Sequence, residues 1–455
     1  MAKIRRIQEF QRQICFQSPE ENFALLYERF LASDLGLICQ AIPWDELVKS
    51  FNIKENAKGP DCIFSPKGKL ALMFLKHYAC CSDKRLIEQL NANLHYQFFC
   101  DLLLELGEGV ENHKIVSQIR CELGKLLDID SAQQALASHW LAYIQEPGNA
   151  TTDATCYESE LRHPTDQKLL WEAVEWSFGQ MRLLCKYLKI RLPRTKYNKW
   201  KVRYFQYSRK RRKPAKERRV LTRSLLMLLD KLNYELDVIE AAFEQELELP
   251  KKYWKKRETI KLIYQQQEHL FTTGEHPKNR ILSISKDYVR PIVRGKETKK
   301  VEFGPKVNKI QIDGINFIEH ISFDAFNEGG HFKSSVWLAQ SLMRTITIVM
   351  GADAIYATNA NRKFATSHNI RTDFKRKGRA GKYEQQRKQL ASSITKERAS
   401  RLEGSFGKEK EHYHLKKIKA RTKLNEILWV FMGIHTANAL EIGRRMVKAK
   451  FEEAA

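Results

Sequence analysis

Apolar residues in the first 145 positions recur at intervals of three and four, and β-branched runs are scarce, a period that predicts helices. The clearest start is Phe64-Ser65-Pro66: Ser65 is suited to cap, Pro66 fits the first helical position, and Leu70, Phe74 and His77 then share a face. After Cys80-Cys81 a second start follows at Ser82-Asp83 and leads to Leu86 and Leu90. Two helices joined so tightly are either a helix-turn-helix able to enter a major groove or a plain packed hairpin. At Pro147-Gly148-Asn149 the pattern changes, and Ala150 to Thr155 predicts a brief strand that ends in a carboxylate, Asp153. Long amphipathic helices come next. One apolar face carries Leu170, Val174, Ser177, Met181, Leu184 and Leu188, and another carries Leu221, Leu225, Leu228, Leu232, Leu236, Ile239 and Phe243. From Lys306 the period shortens: Ile310, Ile312, Ile315, Phe317, Ile321 and Phe323 predict strands, broken by Asp313-Gly314, a dipeptide that favours a hairpin turn. Ser334 or Ser335 then opens a helix through Val336, Ala339 and Met343. The β-branched run Thr345-Ile346-Thr347-Ile348-Val349 predicts a further strand that ends in Gly351-Ala352-Asp353.

Strand, long helical insert, hairpin, helix, strand and helices, in that order, point to a mixed α/β sheet interrupted by an all-helical insertion. A length of 455 residues suits about three domains. With 43% hydrophobic and 29% charged residues the chain folds and keeps a very polar surface. Its formal net charge of +25 attracts polyanions, nucleic acid first among them. Phe23 to Ile42, the best apolar run, is interrupted by Glu28, Arg29 and Asp34, so a membrane protein is excluded. Met1 to Gln13 lacks the apolar core of a secretory signal, and a reducing interior compartment is expected. The nine cysteines all lie between Cys15 and Cys185 without a CxxC pair and read as buried free thiols.

Basic residues are concentrated in three places. Arg194 to Arg219 holds thirteen Lys and Arg and a single acid, Glu217, interleaved with Tyr197, Trp200, Tyr204, Phe205 and Tyr207. Dispersed cations suit phosphates and aromatic faces suit unstacked bases, which makes Trp200, Arg203, Arg209, Lys210, Arg211, Arg212 and Lys213 candidate DNA contacts; the other reading is a helix that packs its aromatics inward. A second patch surrounds Tyr253 and Trp254 with Lys251, Lys252, Lys255, Lys256 and Arg257. A third, Arg371 to Lys382, contributes Lys375, Arg376 and Lys377 on a glycine-containing loop. Three acids from separate segments, Asp153, Asp353 and Glu403, offer the hard oxygen ligands that Mg²⁺ prefers, although Asp166, Asp313, Asp324 and Glu328 are equally acidic.

A family resemblance selects among them. Asp153-Ala154-Thr155-Cys156-Tyr157-Glu158, followed by Pro164-Thr165-Asp166, resembles the first carboxylate block of bacterial insertion-sequence transposases of the DDE class. Gly351-Ala352-Asp353-Ala354-Ile355-Tyr356-Ala357-Thr358-Asn359, with Asn361-Arg362-Lys363, resembles their second block. Glu403-Gly404-Ser405-Phe406-Gly407, with Lys410, Tyr413 and Leu415, resembles the third, and Gly433 to Ala439 is similar to their C-terminal helix. The resemblance implies an RNase H-like mixed sheet flanked by helices, with a helix-rich insertion between the first and second core strands. It implies Asp153 on the first strand, Asp353 after the fourth, and Glu403 on a following helix. The expected layout is an all-helical region for DNA binding or dimerisation at 1–145, the first part of the core at 146–164, the basic insertion at 165–300, the rest of the core at 301–445 and a tail at 446–455.

The same resemblance implies two Mg²⁺ or Mn²⁺ ions held by Asp153, Asp353 and Glu403, with Lys410 beside the scissile strand. It implies cleavage and joining of double-stranded DNA at terminal inverted repeats and at a target, by a homodimer working in a bacterial cytoplasm on nucleoid DNA. Where relatives often carry Tyr and Arg before the Glu, this chain has Lys396 and Ala399, so Arg398 or Arg401 is expected to take over the phosphate clamp. A domesticated DNA-binding protein that has lost catalysis is the alternative.

Overall fold

The computed structural model describes residues 19–54, 62–104, 107–162, 164–245, 247–293 and 301–454. The reading of Met1 to Gln13 as a non-secretory start, and Cys15, lie outside these residues. The architecture is mixed α/β, a central sheet flanked by helices.

The N-terminal region is helical: Pro19–Leu31 (α1), Asp34–Ala41 (α2), Trp44–Ser50 (α3), Pro66–Ala79 (α4), Asp83–Ala92 (α5), Leu94–Phe99 (α6), Lys114–Leu126 (α7) and Ile129–Trp140 (α8). The signals around α4 and α5 act as the chemistry requires. The Ser65 hydroxyl accepts the Gly68 amide with Pro66 in the first turn, Cys80 ends α4 in the left-handed region, and Ser82 caps α5 by accepting the Arg85 amide. Residues Leu70 to His77 of α4 are buried without interruption, so this helix packs on all sides.

Next come Asn149–Cys156 (β1), Glu158–Ser159 (β2), four long helices and a small antiparallel pair, Pro291–Val293 (β3) with Val301–Phe303 (β4). The helices are Asp166–Tyr187 (α9), Tyr197–Arg209 (α10), Ala215–Ala242 (α11) and Lys251–Thr273 (α12). Leu170, Val174, Met181, Leu225, Leu229, Leu232 and Leu236 give these helices a core of their own, apart from the main one. Lys306–Ile312 (β5) and Ile315–Ser322 (β6) form the hairpin, with Asp313 and Gly314 both at positive φ, 47° and 81°, in the turn. Phe332–Met343 (α13), Val349–Ala352 (β7), Asn359–Ser367 (α14), Glu384–Glu397 (α15), Glu403–His412 (α16), Lys417–Ile418 (β8) and the long Lys423–Ala454 (α17) complete the chain.

Four strands make the central sheet in the order β6-β5-β1-β7, with β1 antiparallel to β5 and parallel to β7. Both edges are partly covered. Along β6 the amides of Gln133 on α8 and Asn438 on α17 each take a backbone N–H and a backbone C=O: Gln133 engages Ile318 at 2.6 and 3.0 Å, and Asn438 engages Asn316 at 3.0 and 2.6 Å. Two side-chain amides thus imitate part of a missing strand along the first half of β6. Along β7, Met350 donates to Arg371 and Ala352 donates to the Asp373 carboxylate.

Three expectations need correction. Thr345 to Ile348 lie outside the strand, with Ile346 and Ile348 exposed: α13 ends at a left-handed Arg344, and the connection reaches the sheet only at Val349. Helix α13 begins at Phe332, not at Ser334 or Ser335, because a 3-10 turn over Glu328–His331 leads directly into it. Of the cysteines, Cys100, Cys156 and Cys185 are buried as expected, whereas Cys62, Cys80 and Cys121 are exposed. Cys80 sits at the helix end that breaks the chain before α5, where its thiol bonds the carbonyls of His77 and His412.

Trp140 shows what fastens the N-terminal helices to the core. It is fully buried, donates its indole N–H to the Ala41 carbonyl at 2.6 Å, and lies against Phe317 of β6 and His435 of α17. Trp140→Ala is expected to cost about 3–5 kcal/mol, the usual range for a buried Trp truncated to Ala. Denaturant unfolding followed by circular dichroism measures that loss.

Candidate active site

The sheet register places the first two carboxylates. Thr152 of β1 pairs in parallel with Ala352 of β7, so the residues that follow them, Asp153 and Asp353, occupy neighbouring positions. Asp353 follows the last residue of its strand as expected, whereas Asp153 lies inside β1, with Ala154 to Cys156 continuing the pairing to β5. Each carboxylate accepts the amide that follows it, Ala154 at 2.8 Å and Ala354 at 2.7 Å. At β7 that bond caps the short turn Ala354–Tyr356 and fixes the rotamer of Asp353. Burial pushes the Asp153 carboxyl up to about 6; Glu328 and Asp353 raise it further, while the Ala154 amide and the Arg398 guanidinium oppose them.

Glu403 reaches the same side of the sheet through a change in helix pitch. A π turn at Arg398–Leu402 separates α15 from α16, and widening the helix there brings Arg398 and Glu403, five residues apart, together at 3.3 Å. Arg398 also stands 3.8 Å from Asp353 and 3.9 Å from Asp373. One guanidinium therefore lies among three carboxylates and links the second acid to the third. Gly351 permits the approach: a Cβ there would stand 2.5 Å from the Ile394 side chain of α15, so any larger residue would push that helix off β7.

Helix α16 is fastened to the sheet from its other end. Lys309 of β5, opposite Asp153 in the antiparallel register, sends its ammonium to both oxygens of Glu409 at 2.6 and 2.8 Å, with neither residue exposed. Tyr157, just past β1, donates its hydroxyl to the same carboxylate. Burial lowers the Lys309 ammonium from the ordinary lysine range, and Glu409 opposes that shift. Lys410 on the next position reaches Thr155 Oγ1 at 3.1 Å, and Thr155 is two residues from Asp153, hence on the same face of β1.

The remaining candidates are dispersed. Arg401 turns to Asp313 at 3.2 Å and Glu397 at 3.1 Å, away from the acids, which leaves Arg398 alone in the clamp position. Lys375, Arg376 and Lys377 are exposed on the loop after Asp373; Arg376 lies 3.6 Å from Glu384, and Lys377 bonds the Asn359 side chain at 2.8 Å. On α10 and beyond it, Arg203 and Arg209 to Lys213 are exposed, with Lys210 paired to Glu217 at 2.6 Å. The aromatics between them divide. Tyr197, Tyr204 and Tyr207 are buried, the first two stacked on Trp171 at 5.5 and 4.9 Å, so they serve the helical core. Phe205 is exposed, and Trp200 is half-buried with the Arg203 guanidinium 5.0 Å from its ring.

Residue spacing gives no sign of Asp373, Lys309 or Glu409, and it marks Glu328 only as one acid among several. Their partners lie far along the chain. His435 is buried and bonded to Asn438, with burial pulling its imidazole down to about 3.

The donors fit a hard divalent cation in kind: Asp153 and Asp353 are oxygen ligands at adjoining positions of neighbouring strands. Glu403 is drawn to the guanidinium of Arg398, and among the described residues no group of three or more His, Cys, Asp or Glu stands close enough to hold an ion in this arrangement.

A comparison with protein families bears on the C-terminal part of the chain. Residues 350–431, from β7 with Asp353 through Glu403 and Lys410 into α17, match the family described as "Transposase DDE domain". The resemblance to DDE transposases holds over this stretch, and a transposase-type function is supported for the chain. No match was found among curated proteins or among solved structures. Among the described residues no helix is long and apolar enough to cross a membrane.

Asp153 yields a test that needs no substrate. An acid raised in the folded state binds more protons folded than unfolded, so its ionisation destabilises the fold as pH climbs from about 4 to about 6, and the penalty is complete above that. Asp153→Asn, in the presence of a chelator, is expected to stabilise the protein at pH 7 by about 1–2 kcal/mol, discounted for partial exposure, with the gain gone below pH 4. Thermal melts across that range check it.

Proposed function

We propose that this chain is a DDE transposase that binds the ends of a mobile DNA element and carries out metal-dependent strand cleavage and strand transfer on an RNase H-like core. The carrying observation is the register of β1 and β7, which sets Asp153 beside Asp353 within a chain whose residues 350–431 match the transposase DDE domain. The strand order β6-β5-β1-β7, with only β7 parallel to β1, supports the core, and helices α9 to α12 between β1 and β5 support the insertion. Two Mg²⁺ or Mn²⁺ ions held by Asp153, Asp353 and Glu403 would neutralise the attacking and leaving oxygens of an in-line phosphoryl transfer.

The protein's own groups divide the remaining work. Arg398 offsets the charge of Asp353 and Glu403, and with those carboxylates engaged by ions its guanidinium would be available to a scissile phosphate. Lys410, held beside Thr155, orients the strand near Asp153. Lys375, Arg376, Lys377, Arg203, Trp200 and the run Arg209 to Lys213 hold flanking DNA chiefly through its phosphates. A homodimer that brings two ends together fits this reading.

Asp153→Ala, Asp353→Ala and Glu403→Ala are each expected to lower strand cleavage by on the order of 10³-fold or more while end binding persists. The assay uses labelled duplexes taken from the DNA flanking the coding region and scores nicked and joined products. Cleavage that survives in one variant removes that residue from the assignment, and a wild type that binds without cutting favours the domesticated alternative. Replacing Arg209 to Lys213 with alanine is expected to flatten the salt dependence of DNA affinity by roughly 0.9 in slope for each phosphate that is no longer neutralised. Affinity titrations between low and moderate salt measure this.

A further inference from the structure

Three parts of the fold meet at a cleft apart from the acids, and the second basic patch, at the start of α12, opens onto it. Helix α7 of the N-terminal region, the start of α12 in the insertion, and the connection 419–422 between β8 and α17 enclose a hollow of about 970 Å³. A second hollow of about 520 Å³ continues from it toward residues 160–164, and the two share Lys256, Ser285, Lys419 and Arg421. None of Asp153, Asp353, Glu403 or Arg209 to Lys213 lines either one.

Its charge is one-sided. The two carboxylates in the larger hollow are already matched: Asp83 accepts Lys76 at 2.7 Å and Arg120 at 2.8 Å, and Asp287 lies 3.3 Å from Lys255. Glu160 and Glu172 in the smaller one stand 4.0 Å from Lys417 and 3.8 Å from Arg162. Against these matched acids, Lys114, Lys252, Lys256, Lys419 and Arg421 make no ion pair with any described residue. Like charges so close repel one another, and a folded chain that keeps them unmatched around a concave surface leaves room for an anion.

The arrangement is drawn out along two adjoining hollows and over three separate elements, which suits a linear series of phosphates better than a single one. We propose that this cleft binds the backbone of a DNA segment, an attachment in addition to the active site and the insertion patch, which ties the N-terminal helices, the insertion and the core to one duplex. The identity of the polyanion rests on the transposase reading. The site itself rests on the unmatched cations.

The test compares Lys252→Ala/Lys256→Ala/Lys419→Ala/Arg421→Ala with a control that removes equal charge from exposed lysines elsewhere, Lys49→Ala/Lys54→Ala/Lys186→Ala/Lys450→Ala. Circular dichroism establishes that both are folded. Binding of the full chain to a 30-bp fluorescent duplex is titrated from about 50 to 200 mM salt with chelator present, conditions under which no cleavage contributes. The cleft variant is expected to flatten the slope of log affinity against log salt by roughly three to four, about 0.9 for each phosphate left without its cation, and the control by less than about one. An unchanged slope in the cleft variant, or an equal change in the control, overturns the proposal. A wild type without affinity for DNA overturns the transposase reading as well, whereas a wild type that binds DNA while the cleft variant keeps its slope overturns the cleft alone.

Discussion

Two carboxylates forced to neighbouring positions by hydrogen-bonded strands are the constraint on which this structure turns. The parallel pairing of Thr152 with Ala352 keeps the backbones of Asp153 and Asp353 side by side for as long as the ladder holds. A mere structural sheet would gain by placing apolar or hydroxyl side chains there. Instead Asp153 is partly buried with its carboxyl raised to about 6, and the protein meets the excess charge with one arginine, Arg398, shared with Glu403 and Asp373. Burial of a carboxyl beside a second acid and a shared guanidinium is the kind of environment in which ionisation is perturbed.

Around that point the fold is held firmly. Lys309, Glu409 and Tyr157 anchor α16 in the core, and a buried ion pair of this sort is strongly position-dependent because removing either partner strands a charge. Glu403, at the opposite end of the same helix, follows a π turn and is half-exposed. Its neighbours are fixed as well: Leu402 is buried and Ser405 bonds Asn316, so the third carboxylate stands exposed on a backbone held at both ends of the helix.

Much of this is legible in the sequence because local chemistry agrees with the final structure. Ser65 and Ser82 cap the helices they precede, Asp313-Gly314 turns the hairpin, and the apolar faces of α9 and α11 are the ones buried. The failures share a cause. Thr345 to Ile348 has strand-forming residues but no partner strand, and Tyr197, Tyr204 and Tyr207 sit among cations yet turn inward, the first two toward Trp171. Whether a β-branched run pairs or an aromatic is buried depends on what stands across from it, which spacing along one chain does not contain. Lys309 and Glu409 are the sharpest case: each is an ordinary charged residue in sequence, and only the sheet brings them together, 100 positions apart.

The position of Arg398 beside Glu403 depends on the irregular turn between α15 and α16. In a regular α-helix a residue five before Glu403 would point well round the helix from it, since five residues turn through about 500°. The π turn removes most of that offset, and the bond at 3.3 Å is the result. The π turn and the arginine therefore act together: a regular helix through the same residues would carry the guanidinium round from Glu403, whereas the bulge keeps it between Asp353 and Glu403.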